Sequence, residues 1–416
     1  MFVRVPTPFV AIVAALVVIG SVSASHSAEP LTLAAAVDRT LRSNPDLAVL
    51  PARKLEQNAR IELAGLRPQL AIDAQIENAF GSGAYRDLNG TEASLSLSQV
   101  IELGDQRRKR LAAARDGMDT LELAQTVAQL DVVAETTRRY IELASEEQQR
   151  TLAAQWLAAS QRKTSEVERR VKAARDPEVE LVRAQIDLSR AELSVRVAAD
   201  RVRIAQRKLA AMWGATEPDF QRIDADLFNL PNIEALQHRM EKIASSADFL
   251  LFATEIRQRE AEMALAKAQA RASITVSAGI RRLEATGDQA FIAGFSMPLA
   301  SARYAKPRIA EAQARRDGLE RERDAALIKA RASLFEVAAR LTHAVEEAQT
   351  LRDDLLPRME TAVKATEYAW QRGRYGYIEL TEAQREQLAL RLALITAATN
   401  AHLYRIEIER LTGDSP

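Results

Sequence analysis

The sequence predicts a mainly α-helical fold with membrane β-strands. In this fold three identical chains build a twelve-stranded β-barrel, four strands per chain, that is continuous with a long α-helical barrel. Three observations support it: two tandem repeats, two alternating strands in each repeat, and a very long helix after each strand pair. Basic and acidic residues are balanced at 57 each, so the chain lacks the positive surplus that a nucleic-acid partner requires.

Residues 1–28 are predicted to be a signal peptide. Arg4 supplies the positive charge, the apolar run Phe9–Gly20 follows, and cleavage is expected after Ala24 or Ala28. The alternative is an N-terminal anchor helix, but the run is short for a membrane span of ~20 residues. The sequence contains no cysteine, which argues against disulfides, cysteine-bound metals and a lipid attached to cysteine.

The rest of the sequence matches itself when it is shifted by about two hundred residues. An offset of 198 places Ser98 on Ser296, and further along an offset of 199 places Gly214 on Gly413. Because the strand-to-helix change also falls in register, we interpret the match as a duplication. The predicted units are a first repeat over 29–214, an equatorial linker over 215–231 and a second repeat over 232–416.

Each repeat is predicted to begin with a helix, over about residues 32–65 and 232–271. Strands follow at about 69–78 and 91–99 in the first repeat, and at about 273–282 and 289–298 in the second, because apolar and polar side chains alternate there. The apolar positions are predicted to face lipid: Leu70, Ile72, Ile76, Leu95, Leu97, Ile274, Val276, Ile280, Phe291 and Phe295.

Long helices are predicted over about 104–173 and 301–372, each ~105 Å long at about 1.5 Å per residue. In the first of them, apolar residues are spaced by alternating threes and fours, as in a coiled coil. Returning helices follow over about 178–212 and 378–411. The leading and returning helices are each about half as long as a long helix, so two of them end to end match its length. These lengths predict a helical layer of uniform height.

Four strands with one apolar face cannot close a barrel by themselves, and lipid tolerates no open sheet edge. Two chains would give eight strands, whose interior fills with side chains, whereas three chains give twelve strands and space for a channel. The predicted location is the outer membrane of a Gram-negative bacterium, with the helical portion in the periplasm. The alternative is a soluble sheet covered by helices, which does not explain the length of the helices.

Four stretches carry a resemblance to a known family: LTLAAAVDRTLRSNPDLAVL, AGLRPQLAIDAQIENAFGSG, SLSQVIELGDQRRKRLAAA and RIEIERLTG. In this order and spacing the mature chain resembles the TolC-type outer-membrane efflux proteins, especially the CzcC-like branch of heavy-metal exporters. The resemblance implies a homotrimer that docks to a periplasmic membrane-fusion (adaptor) protein and an inner-membrane pump of the resistance-nodulation-division class. The lipidated cysteine of many relatives has no counterpart in this sequence.

The residues predict no enzyme, no metal site and no cofactor. The four histidines are isolated, and His26 falls in the predicted signal peptide. The carboxylate pairs Glu146-Glu147 and Glu346-Glu347 are predicted to lie on solvated helix faces, because adjacent helical side chains diverge.

The two helix breaks are the predicted functional stretches. A reversal of the chain explains the proline and glycines, but it does not explain the arginines, carboxylates and tyrosines around them. The hypothesis is that Arg–carboxylate and tyrosine hydrogen bonds between chains hold the channel shut, so that alanine at Arg374 and Asp176 would raise its conductance. The residues of this predicted gate or adaptor-docking tip are Arg175, Asp176, Pro177, Glu178, Arg372, Gly373, Arg374, Tyr375, Gly376 and Tyr377.

The predicted function is passive conduction of a substrate across the outer membrane within a tripartite efflux system. The predicted substrate is heavy-metal cations. One alternative is a periplasmic coiled-coil adaptor or scaffold protein that never enters a membrane. Another is an outer-membrane channel for drugs or a secreted polypeptide.

Overall fold

A computed structural model describes residues 30–233 and 243–413, and the predicted signal peptide lies outside the described residues. The order helix, strand pair, long helix, returning helix occurs twice, as the sequence predicts. The first copy contains α1 (Leu33–Ser43), α2 (Leu50–Gly65), β1 (Leu70–Glu77), β2 (Glu92–Ile101), α3 (Gln106–Lys172) and α4 (Glu178–Ala211). The second contains α5 (Ala247–Ala268), β3 (Ile274–Leu283), β4 (Gln289–Ser296), α6 (Ser301–Thr350), α7 (Leu356–Gln371) and α8 (Tyr377–Thr412).

The leading helix of the first repeat is two helices, so the prediction of one continuous helix was wrong. α1 ends at Asn44, whose backbone is extended because Pro45 follows it. The Asn44 side chain accepts hydrogen bonds from the amides of Asp46 and Leu47, and its amide group donates one of 2.8 Å to the Met212 carbonyl. The first two bonds satisfy amides that follow the break, and the third holds the break against the end of α4.

The leading segment of the second repeat also contains a break. A 3₁₀ turn occupies Ile243–Ser245, and α5 starts only after Ser246, whose backbone is extended (ψ 158°). The predicted helix over 232–271 is therefore interrupted within the described residues, and part of its predicted range, 234–242, lies outside them.

The second long helix is not uniform, because a π-helical turn over Leu351–Leu355 separates α6 from α7. Pro357 lies two residues after the end of this turn. A proline within a helix lacks the amide donor and its ring crowds the carbonyl four residues earlier, and a wider turn relieves that contact. The first long helix, α3, runs without such a turn for 67 residues, or about 100 Å.

The helices pack in a layer that continues from the sheet. Near the sheet the order across the layer is α2, α3, α5, α6, and away from the sheet it is α4, α3, α8, α7. The sheet has the order β1, β2, β3, β4. The first repeat therefore forms one edge of the molecule at every level, and the second repeat forms the other. Within the described residues no helix is both long and apolar enough to cross a membrane.

The main core lies midway along the helical layer, where residues 215–231 cross α3. Leu31 forms a parallel bridge with Ile223, and the Tyr140 hydroxyl lies 2.9 Å from the Leu31 carbonyl oxygen and 2.5 Å from that of Asp224. Tyr140 is only 2% exposed. Side chains from both repeats pack around it, including Ala36, Leu143, Val202, Leu209, Phe220, Leu227 and Ile406. This core fixes the two repeats against each other.

Candidate functional site

The four antiparallel strands place their apolar side chains on one face of the sheet. Ile72 lies opposite Leu97, and Ile280 lies opposite both Leu95 and Phe291. Ile72 and Phe291 are 73% and 74% exposed, which is unusual for large apolar side chains and marks this face as an interaction surface. This apolar sheet face contains all ten residues that the sequence predicts to face lipid: Leu70, Ile72, Ile76, Leu95, Leu97, Ile274, Val276, Ile280, Phe291 and Phe295.

The opposite surface, which we call the polar sheet face, carries serines and charged groups. The Arg281 guanidinium lies 2.7 Å from a Glu92 carboxylate oxygen and 3.2 Å from one of Glu77. It therefore joins strands of both repeats. Nearer the helices, the Ser98 hydroxyl donates a 2.7 Å hydrogen bond to the Asp73 carboxylate. The sheet thus has one face suited to lipid and one suited to water.

The two helix tips, residues 173–177 and 372–376, have matching backbones. Ala174 and Gly373 both have left-handed conformations, with φ of 53° and 71°. In each tip the amide of the left-handed residue bonds the carbonyl three residues earlier, and the next amide bonds the carbonyl five residues earlier. The equivalent residues differ by 199 in number, the offset found in the sequence. Pro177 is then the N-cap of α4, and Gly376 is the N-cap of α8.

Arg170, near the end of α3, connects the two tips. Its guanidinium donates hydrogen bonds of 2.6 and 2.8 Å to the two Asp176 carboxylate oxygens, and these bonds raise the pKa of Arg170. A third donor lies 3.3 Å from the Gln371 carbonyl oxygen, and the guanidinium lies 4.8 Å from the centre of the Trp370 ring. The Arg170 and Asp176 side chains are 11% and 8% exposed. One buried arginine therefore contacts both tips.

A second group of contacts lies between α4 and α8, on the side of the tips that is nearer the sheet. The Tyr377 hydroxyl lies 3.3 Å from one Asp187 carboxylate oxygen, and Arg385 donates a 2.7 Å hydrogen bond to the other. Tyr377 is 2% exposed, and burial raises its pKa. The Tyr377 amide lies 3.5 Å from a Glu180 carboxylate oxygen. Asp187 thus receives donors from two residues of the second repeat.

The structure divides the predicted tip residues into two classes. Asp176 and Tyr377 form side-chain hydrogen bonds within their own chain, to Arg170 and Asp187. Arg372 lies 4.3 Å from the centre of the Tyr368 ring. The other predicted residues are exposed: Arg175, Pro177, Glu178, Gly373, Arg374, Tyr375 and Gly376. Sequence reasoning missed Arg170, Asp187 and Arg385, because their pairing depends on how the two repeats pack.

Lys163 lies between aromatic rings above the tips. Its ammonium group is 5.8 Å from the centre of the Trp156 ring and 5.8 Å from that of Tyr377. Burial lowers the pKa of Lys163 to about 8, although Asp187 and Glu367 favour its charged form. In the unfolded chain the lysine pKa is about 10.4, so the unfolded state binds more protons between these values. Stability should therefore rise with pH in this window.

We expect the free energy of unfolding to increase by about 1 kcal/mol between about pH 8 and pH 9.5, and the Lys163→Met variant to lose this increase. The measurement is the midpoint of thermal unfolding by circular dichroism. The measurement stops below pH 10. Above that pH the tyrosine of the unfolded chain ionises, whereas Tyr377 of the folded chain, whose pKa is raised, stays protonated, and the folded state then loses stability. Lys172→Met is the control, since Lys172 is 74% exposed and pairs with Glu168. An equal pH dependence in both variants would contradict the assignment.

The carboxylate pairs differ from each other. Glu346 and Glu347 are exposed, as predicted. Glu146 and Glu147 are partly buried, and each has one buried oxygen without a hydrogen-bond partner among the described residues, so the predicted solvated face was wrong for this pair. Burial raises the pKa of Glu147. The described part of the chain brings together no group of three or more residues able to hold a metal ion.

The sheet has an exposed apolar face and an opposite polar face, and it continues into helices of about 100 Å. These features define a subunit of a membrane channel with a helical stem. Residues 36–215 match the family model described as outer membrane efflux protein. The cobalt-zinc-cadmium resistance protein CzcC of Cupriavidus metallidurans is 25% identical over 393 residues, which cover 93% of this chain and 91% of CzcC. The chain is thus similar to outer membrane efflux proteins, through the family model over residues 36–215 and through CzcC over most of its length.

Solved structures show the same fold. CusC superimposes with a TM-score of 0.76 at 16% identity, covering 92% of each chain. The outer membrane protein VceC of Vibrio cholerae has a TM-score of 0.72 at 16% identity, covering 92% of this chain and 96% of VceC. The predicted fold class is confirmed. By these matches the protein is an outer-membrane efflux channel and not an enzyme.

Proposed function

We propose that three copies of the chain form a passive channel that carries heavy-metal cations out of the cell, as part of a tripartite system with a periplasmic adaptor and an inner-membrane pump. The observation that carries this proposal is the four-stranded sheet, which has an exposed apolar face and two edge strands, β1 and β4. In lipid an unpaired strand edge is very costly. The partner for each edge is supplied by another copy.

The helical layer supports the same assembly. At every level one edge is formed by the first repeat (β1, α2, α4) and the other by the second repeat (β4, α6, α7). A head-to-tail contact between unlike edges repeats around an axis until the ring closes. Three copies give twelve strands and a water-filled interior, whereas two would give eight strands with an interior filled by side chains.

The exposed tips are the proposed docking surface for the adaptor. Arg175, Arg374 and Tyr375 are exposed at the end farthest from the sheet, which in this arrangement lies deepest in the periplasm. None of the three forms an ion pair or side-chain hydrogen bond within the described ranges 30–233 and 243–413. Their guanidinium and phenol groups are available to a partner.

The substrate proposal rests on the likeness to CzcC, whose description names cobalt, zinc and cadmium. A channel of this kind conducts what its pump delivers, so the direct test is genetic. We expect deletion of the gene to lower tolerance to one or more of these metals, and the intact gene to restore it. Loss of tolerance to drugs alone would replace the metal proposal by the drug alternative.

The assembly is tested by fractionation and by electrophoresis with and without heating. We expect the protein in the outer-membrane fraction, and a trimer band that converts to monomer on heating. A protein recovered as a soluble periplasmic monomer would contradict the channel and support the adaptor or scaffold alternative.

A further inference from the structure

The charges of the strands lie unevenly on the two faces of the sheet. The register places three carboxylates on the polar sheet face, those of Asp73, Glu77 and Glu92, with a single cation, Arg281. Arg282 is the other charged residue of the described strands, and it lies on the apolar sheet face opposite Ala93. The polar sheet face of one chain therefore has a net charge of −2 from its strands.

Arg281 compensates two of these carboxylates at the end of the sheet far from the helices. It lies within 2.7 Å of Glu92 and 3.2 Å of Glu77, and its Nε donates a 2.9 Å hydrogen bond to the Ser94 hydroxyl. The side chains of Arg281 and Glu92 are 32% and 25% exposed. At this end of the polar sheet face the Arg281 guanidinium lies between the carboxylates of Glu77 and Glu92 and neutralises part of their charge.

Asp73 has no such cation. It lies four residues along β1 from Glu77, or about 13 Å at about 3.3 Å per residue. Its side chain is exposed and accepts a hydrogen bond from the neutral Ser98 hydroxyl. No lysine or arginine forms an ion pair with it within the ranges 30–233 and 243–413. The hydroxyl is neutral, so this hydrogen bond does not cancel the charge of the carboxylate.

We propose that Asp73 makes the barrel selective for cations over anions, and that Arg281 limits this selectivity. The proposal rests on the proposed trimer, in which the polar sheet face lines the channel and three copies of Asp73 form a ring at one level. Rings of carboxylates attract cations and repel anions in water-filled pores. The effect acts over about 10 Å at 0.1 M salt, and it weakens as salt is raised.

The test is the K⁺/Cl⁻ permeability ratio, taken from the reversal potential of purified trimers in planar bilayers under a KCl gradient. We expect the unmodified protein to favour K⁺. Asp73→Asn should lower the ratio at least twofold, and Asp73→Lys, which brings the net charge of the polar sheet face to zero, should remove the preference for K⁺. Arg281→Gln should raise the ratio, while the matched variant Arg282→Gln, on the apolar sheet face, should leave it unchanged.

Each result bears on a different claim. The heat-sensitive trimer band shows which variants assemble. If Arg281→Gln does not assemble, the Asp73 variants alone are enough to test the inference. Absence of any channel from the unmodified protein would overturn the proposed function. Channels with a ratio near one, or a ratio that Asp73→Asn does not change, would overturn this inference alone and leave the proposed channel standing.

Discussion

Adding one methyl group at Gly279 is expected to prevent assembly of the channel. Gly279 lies in β3 opposite Ser96 of β2, the strand pair that joins the first repeat to the second. A Cβ at this position would lie 2.2 Å from the Leu95 carbonyl oxygen and 2.6 Å from the Ser96 Cα. Both are backbone atoms of the paired strand, so the sheet itself would have to move. Overpacking of this kind costs about 1–3 kcal/mol, and more when backbone must shift.

We expect Gly279→Ala to remove the heat-sensitive trimer band and to reduce the protein in the outer-membrane fraction several-fold. Gly294→Ala is the matched control, because Gly294 lies on the same face and its added Cβ would meet only the Ser277 side chain, whose hydroxyl can rotate away. Gly294→Ala should assemble normally. Equal amounts of trimer from the two variants would show that the β2–β3 contact tolerates the methyl group.

The second large effect is expected at Arg170, because it is the buried cation that contacts both helix tips. Arg170→Ala would leave the Asp176 carboxylate, 8% exposed, without its cation. Removing one partner of a buried ion pair costs about 3 kcal/mol. The same substitution removes the contacts with the Gln371 carbonyl and the Trp370 ring. The two tips would then be free to separate, and single-channel conductance should rise several-fold.

The neighbouring Arg169→Ala is the control for this experiment. Arg169 is 75% exposed and pairs with Glu166, a surface ion pair worth at most about 1 kcal/mol, so conductance and unfolding midpoint should stay unchanged. Arg170→Lys should lie between the unmodified protein and Arg170→Ala, since lysine keeps the charge but loses the two parallel hydrogen bonds. If Arg170→Ala conducts like the unmodified protein, the tips do not form the gate.

The Arg170 contact changes the gate hypothesis that the sequence suggests. The hypothesis has Arg–carboxylate bonds between chains, and in the structure the Asp176 carboxylate accepts two hydrogen bonds from Arg170 of its own chain. In a protein that carries both Arg374→Ala and Asp176→Ala, the contact between the two tips of one chain should therefore be loosened. The double variant Arg170→Ala, Asp176→Ala should be more stable than Arg170→Ala, because no unpaired buried carboxylate remains.

Short-range patterns made several elements predictable. A period of two marks the strands, and Pro177 and Gly373 mark the reversals, because proline cannot continue a helix and glycine accepts a left-handed backbone. The break at Asn44-Pro45 also has a local cause and was missed, since the apolar pattern continues across it. The π-helical turn before Pro357 is a further local effect that periodicity does not reveal.

The sequence by itself determined the duplication, the strands with their two faces and the positions of the tips, because alternation, helical spacing, proline and glycine act over a few residues. Only the tertiary structure decided which groups meet across the repeats: the Arg170 side chain with the Gln371 carbonyl, and Asp187 with Tyr377 and Arg385. These partners are up to 201 residues apart. Their meeting depends on the rotation and axial position of packed helices, which local preferences do not fix.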